Sequence, residues 1–206
     1  MNKQKIKYAF YTMTHPSDGY YEIRHRDKGS VLLALIIVFL FGVSYSVNNM
    51  YAGFVVNVSH PLSGNSMAEI ISVFALFFLF CVGNWSITCL MEGEGRFKDI
   101  VIATGYAMLP MVMVFIPATI ISNFIAQNEE AFYFLIMGIS IGWFIIQALV
   151  GIMTVHHYSL GKTLATLFLT FVAMLIIIFI ISLLASLLGQ VFAFFESIYN
   201  EILLRA

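Results

Sequence analysis

Long apolar runs broken by short polar segments dominate the chain. Residues 1–29 are mixed, basic and aromatic, and split by the turn former His15-Pro16-Ser17-Asp18-Gly19. From Ser30 to about Met50 the pattern turns apolar, with the core VLLALIIVFLFGV and no charge until Glu69. About 20 residues at about 1.5 Å each cross about 30 Å of hydrocarbon, so this run predicts a first membrane helix. The stretch YAGFVVNVSHPLSGNS is too short and too polar to return across the bilayer and reads as a loop. Further helices are predicted over roughly 67–90, 100–124, 131–155 and 163–188, followed by a tail over 189–206.

The third predicted span is interrupted by Gly105, Pro110 and Pro117, and each internal proline removes a backbone donor, so kinks are expected. The fourth carries Gly138-x-x-x-Gly142, a small-residue face that suits close helix approach. In the tail, Val191, Phe194, Phe195, Ile198 and Ile202 recur at steps of three and four, with Glu196, Asn200, Glu201 and Arg205 on most of the other side. That predicts an amphipathic helix along a membrane face or another subunit. The expected fold is therefore all-α: a polytopic membrane protein with five transmembrane helices and a C-terminal amphipathic helix. It divides into a cytoplasmic, partly interfacial N-terminal segment (1–29), a five-helix transmembrane domain (30–188) and an extracytoplasmic amphipathic tail helix (189–206).

Composition supports this reading. The chain is 61% hydrophobic and 10% charged, an apolar surplus that one soluble core of 206 residues cannot hide. The net charge of −1 excludes a nucleic-acid binder carried by bulk charge. Cys81 and Cys89 have no metal-ligand spacing and read as two small buried hydrophobes.

Basic residues orient the helices. With five spans, the N-terminal segment and the loops 91–99 and 156–162 fall on one side and hold nine of the ten Lys and Arg; only Arg205 falls on the other. The positive-inside rule then predicts a multi-pass protein of the cell membrane with a cytoplasmic N-terminus and an extracytoplasmic C-terminus. If the proline-broken third segment failed to cross, His156, His157 and Lys162 would move outside.

Candidate chemistry gathers on the predicted inner face: Glu92, Glu94, Arg96, Lys98, Asp99, His156, His157 and Lys162. Adjacent histidines on one helix point about 100° apart, and no HExxH-type spacing accompanies them, so neither a metal site nor a cofactor is predicted. Gly93 and Gly95 flank Glu94 without the phosphate-loop order and are expected to allow a tight turn. No Asp, Lys, Arg or His lies within the spans away from their ends, which removes the parts an intramembrane protease or a charged transport relay needs. Asn84 beside Trp85 is the most notable polar pair in the spans, one suited to tie helices together and the other to anchor at the interface. Asn57-Val58-Ser59 matches a glycosylation sequon on the outer side.

The stretch Asn84-Trp85, Glu92-Gly93-Glu94-Gly95-Arg96-Phe97-Lys98, Gly105-Tyr106 and Leu109-Pro110 resembles the Yip1-domain family in its bacterial branch, as do His156 to Lys162 and Ser197 to Ile202. The resemblance implies an integral membrane protein without known catalytic residues. Eukaryotic members are tied to Rab GTPases and carry an Asp-Leu-x-Gly-Pro motif in the cytoplasmic segment, whereas the N-terminal segment here reads His15-Pro16-Ser17-Asp18-Gly19, so a Rab-type partner is not implied. Some bacterial members are similar to proteins encoded beside ABC transporter parts, which implies an accessory role next to an ABC permease. Two functions follow as expectations. One is a non-enzymatic scaffold or accessory subunit contacting lipids and other membrane subunits. The other is a small transporter or channel that uses the kinked third helix with Thr104, Tyr106 and Asn84.

Overall fold

A computed structural model describes residues 3–57 and 65–205; Val58 and Ser59 of the sequon lie outside the described residues. The described residues form helices α1 (Lys3–Thr14), α2 (Pro16–Arg26), α3 (Val31–Tyr51), α4 (Ser66–Leu90), α5 (Phe97–Ala107), α6 (Leu109–Ser122), α7 (Glu130–His156) and α8 (Leu160–Arg205). A 3-10 turn, Gln127–Glu129, leads into α7. Five segments are long and apolar enough to cross a membrane: α3, α4, α5 with α6, the 3-10 turn with α7, and α8.

The third span is the buried centre of the bundle. Every residue of α5 from Asp99 to Ala107 is buried, while the lipid-type faces of α4 and α7 are exposed. Its break falls at Met108. Pro110, in the first turn of α6, brings no amide for the carbonyl of Tyr106 four residues back, and Met108 N instead donates to Gly105 O at 3.2 Å in a tighter turn. Pro117 sits inside α6 on an exposed face. The segment nevertheless crosses. One end, at Asp99, meets Arg24, and the other, at Ser122, accepts a hydrogen bond from Gly53 N at 2.9 Å.

The chain alternates between two ends. The loop after α4, the α7–α8 turn and the N-terminal helices meet at one end, and the α3 exit meets the end of α6 at the other, where Asn123 Nδ2 donates to Tyr51 O at 3.0 Å. The first end carries most of the basic residues and is called the basic face below.

Three expectations change. The turn expected over His15–Gly19, which splits the N-terminal segment into α1 and α2, shrinks to one residue. Only His15 is non-helical there; Pro16 opens α2, where its missing amide costs nothing, and Gly19 lies within α2. A Cβ on Gly19 would come within 2.7 Å of Thr12 Cα, so this glycine lets α1 and α2 cross. Second, Cys81 is buried but Cys89 is exposed, because eight residues rotate a side chain about 80° around the helix. Third, the tail continues the fifth span without interruption as one 46-residue helix, α8, about 69 Å long. Every described side chain from Ile178 to Glu201 is exposed.

Candidate functional site

The densest polar constellation lies at the basic face, where α2, the loop 91–96, the start of α5 and the end of α7 converge. It is built around Asp99, buried in the first turn of α5. Its carboxylate accepts from Arg96 N at 3.3 Å, which satisfies an orphan amide of the helix start, and from Arg96 Nε at 2.8 Å. Arg24 of α2 reaches the same carboxylate at 3.6 Å and donates to Glu94 O at 2.6 Å. Asp27, the left-handed C-cap of α2, takes Lys98 Nζ at 2.8 Å and Arg96 Nη2 at 3.3 Å. The Lys98 ammonium, with Arg96 behind it, holds the Asp27 carboxyl below its usual range. Glu22 is held low in the same way, first by Lys28, which pairs with it.

His156 and His157 do not act together. His156 ends α7 and is buried, whereas His157 is its left-handed C-cap (φ 54°) and lies at 3.9 Å from Glu94. His156 Nδ1 accepts from Gly95 N at 3.1 Å, and its ring stacks on Tyr158 with centroids 5.3 Å apart. Its Nε2 is buried and has no partner among the described residues. Tyr158 in turn donates to Met91 O at 3.1 Å, so the loop is clamped from both sides.

The loop glycines serve space rather than backbone freedom. Neither has positive φ; Glu92, at φ 57°, makes the left-handed turn. A Cβ on Gly93 would come within 2.6 Å of His156 Nδ1 and of the Tyr158 hydroxyl, and one on Gly95 within 2.6 Å of His156 Cε1 and Val155 Cγ1. Glu92 and Glu94 themselves point outward and are exposed. Among the described residues, no group of three or more His, Cys, Asp or Glu is arranged to hold a metal ion.

The remaining candidates lie apart. Asn84 is buried in α4 and donates to Thr170 Oγ1 of α8 at 3.1 Å, while its Oδ1 has no partner among the described residues. Trp85 faces outward, edge-on to Phe97. Gly105 lets α5 approach α3, since its Cβ would stand 2.7 Å from Ala34 Cβ, and the Tyr106 hydroxyl accepts from Ser30 N at 3.1 Å. Pro110 is buried at the α5–α6 break. Gly138 and Gly142 meet nothing within 4 Å.

Several organising residues escaped the sequence reading. Thr163, Thr166 and Thr170 form a buried stripe on α8, legible as a three- and four-residue repeat within its apolar run. Asn48 joins three helices by donating to Thr119 at 2.8 Å and Tyr133 at 2.7 Å. Gln147, buried in α7, donates to Met13 O at 2.6 Å at the end of α1, and Trp143 donates to the same carbonyl at 3.2 Å. A lone glutamine in an apolar span was the available signal.

The site is dense in ion pairs that join α2, the loop and α5. Its arrangement suits holding helices in register. Comparison with curated proteins and with solved structures gives no match. The family model of the Yip1 domain matches residues 10–184, from α1 into the middle of α8. That family consists of membrane proteins not known as enzymes. With five membrane-spanning segments and a match over most of its length, the chain belongs to the Yip1 domain family.

Proposed function

We propose that the protein is a non-enzymatic scaffold or accessory subunit of a membrane complex. It lies in the cell membrane with its N-terminus cytoplasmic and its C-terminus extracytoplasmic, as the basic asymmetry implies. One observation carries the reading: the distal half of α8 exposes its large apolar side chains, with none of them buried against the described residues. Asn84 sets the height of Thr170, and α4 has 18 residues, about 27 Å, left from there to Ser66. The corresponding height on α8 is near Leu188. Beyond it the helix continues toward Arg205, about 25 Å further, with Phe192, Phe194, Phe195 and Ile198 exposed. Lipid can cover the part before Leu188; the aromatic part beyond it needs a headgroup surface or a partner.

The partner class favoured by the resemblance is a membrane subunit such as an ABC permease. Gly138 and Gly142 on the open face of α7 offer a second place for such a helix to approach. The transport reading has less behind it. The α5–α6 segment that would line a path is packed on most sides, and the cleft of about 570 Å³ beside Thr104 is walled by apolar groups such as Phe41, Phe77 and Phe144.

The test is affinity purification from native membranes in gentle detergent, for the full chain and for a chain ending at Leu188. A stoichiometric membrane partner, or a second copy, is expected with the full chain and is lost on truncation. Recovery of the full chain as an isolated monomer, without a crosslinked partner in cells, contradicts the proposal.

A further inference from the structure

Helices α1 and α2 fold back on each other, and their contacts fix how deep they sit. The start of α3 marks one edge of the hydrocarbon: α3 has 21 residues, about 31 Å, which is the thickness it must cross. Ser30, just before it, is tied to Tyr106, and Gly29 packs on Ile102. At this level the buried Tyr20 of α2 donates to Ala103 O at 3.4 Å and lies against Gly151 of α7. Toward the His15 turn the hairpin goes further in. Met13 O is held by Gln147 and Trp143, which are rooted four and eight residues, about 6 and 12 Å, deeper along α7 than Gly151.

Charge follows the same axis. Tyr8 to Ser17 contains no Asp, Glu, Lys or Arg, whereas Lys5, Lys7, Glu22, Arg24, Arg26, Asp27 and Lys28 all lie toward the open end. The exception is Asp18, in the first turn of α2, where the helix N-terminus favours a carboxylate. Phe10, Tyr11 and Tyr21 are exposed on the outer flank of the hairpin, as amphipathic rings are at a headgroup boundary. The buried polar ends of the hairpin are satisfied inside it: Tyr8 donates to Gly19 O at 3.0 Å and Thr12 to Tyr8 O at 3.0 Å.

We infer that α1 and α2 form a re-entrant hairpin that enters only the leaflet of the basic face. Its His15 turn lies about 6–12 Å below the hydrocarbon edge, and its outer flank is in contact with lipid. The N-terminal segment is then a membrane element in its own right, a wedge in one leaflet.

The test places a nitroxide at Ser17→Cys in a Cys81→Ala, Cys89→Ala background, with the purified chain in bilayers of phosphatidylethanolamine and phosphatidylglycerol. Collision with oxygen is compared with collision with a water-soluble nickel chelate. At position 17 the oxygen-to-nickel ratio is expected to be several-fold above that at Glu94→Cys and to approach that at Phe39→Cys, on the exposed face of α3. Thr14→Cys, on the other limb of the turn, gives the same reading if position 17 disturbs folding. Nickel access at 14 and 17 equal to that at 94 overturns the inference. No partner is needed for this measurement, so its outcome is independent of the proposed scaffold role.

Discussion

At the scale of single residues, close approach explains more than chemistry does. Gly95 is confined between Val155 and His156, so Gly95→Val forces well-packed neighbours apart. Overpacking of this kind costs about 1–3 kcal/mol, and thermal unfolding in detergent should show a lowered midpoint. Gly138→Val meets open space and should leave that midpoint unchanged. The ion pairs make a separate prediction. Glu22 and Asp27 are held below their usual carboxylate range by Lys28 and Lys98, so the fold favours their charged forms. Their contribution is complete above the unfolded value, near pH 4, and is lost as pH falls through the lower folded value. A spin label at position 17 should therefore keep its mobility from about pH 8 to about pH 5 and loosen only below about pH 4. The sequence singled out Gly93 and Gly95 as unusual, but it suggested turn geometry where the structure has crowding. The sequence grouped Asp99 with its charged neighbours but hid its burial, because a buried carboxylate and an exposed one look alike in a charged loop.

At the scale of elements, apolar length and proline position were informative because they act locally. The spans appear where the runs are long enough, and the third breaks beside Pro110. The N-terminal pair was legible only as a basic, aromatic stretch. Its docking depends on Gln147 and Trp143, which lie 134 and 130 positions from Met13 in the chain, and no local pattern reports such a contact. The same holds for the tail: a change from all-apolar to amphipathic periodicity suggested a new element, whereas α8 runs straight through, with Gly189 inside the helix. The element-level prediction follows from burial. A chain ending at Leu188 removes no described side chain packed in the bundle, so its unfolding midpoint should match that of the full chain within a few degrees. A large drop would mean that the distal helix folds back on its own bundle.

At the scale of the whole molecule, the five spans separate two ends of different character. The basic face is locked by Asp99, Arg24, Arg96 and the His156–Gly95 bond. The other end releases α8, which leaves the bundle near Met174 and carries an aromatic surface away from it. A rigid end and an unpartnered end are what a scaffold requires, and that asymmetry is the centre of this account. It is tested most directly by photocrosslinking in living cells, with a photoreactive residue placed singly at Phe192, Phe195 and Ile198 of the full-length chain. A discrete adduct with one membrane protein, or with a second copy, is expected from at least one of these sites, and none from Phe39 on α3. Lipid adducts alone at all three positions would contradict it.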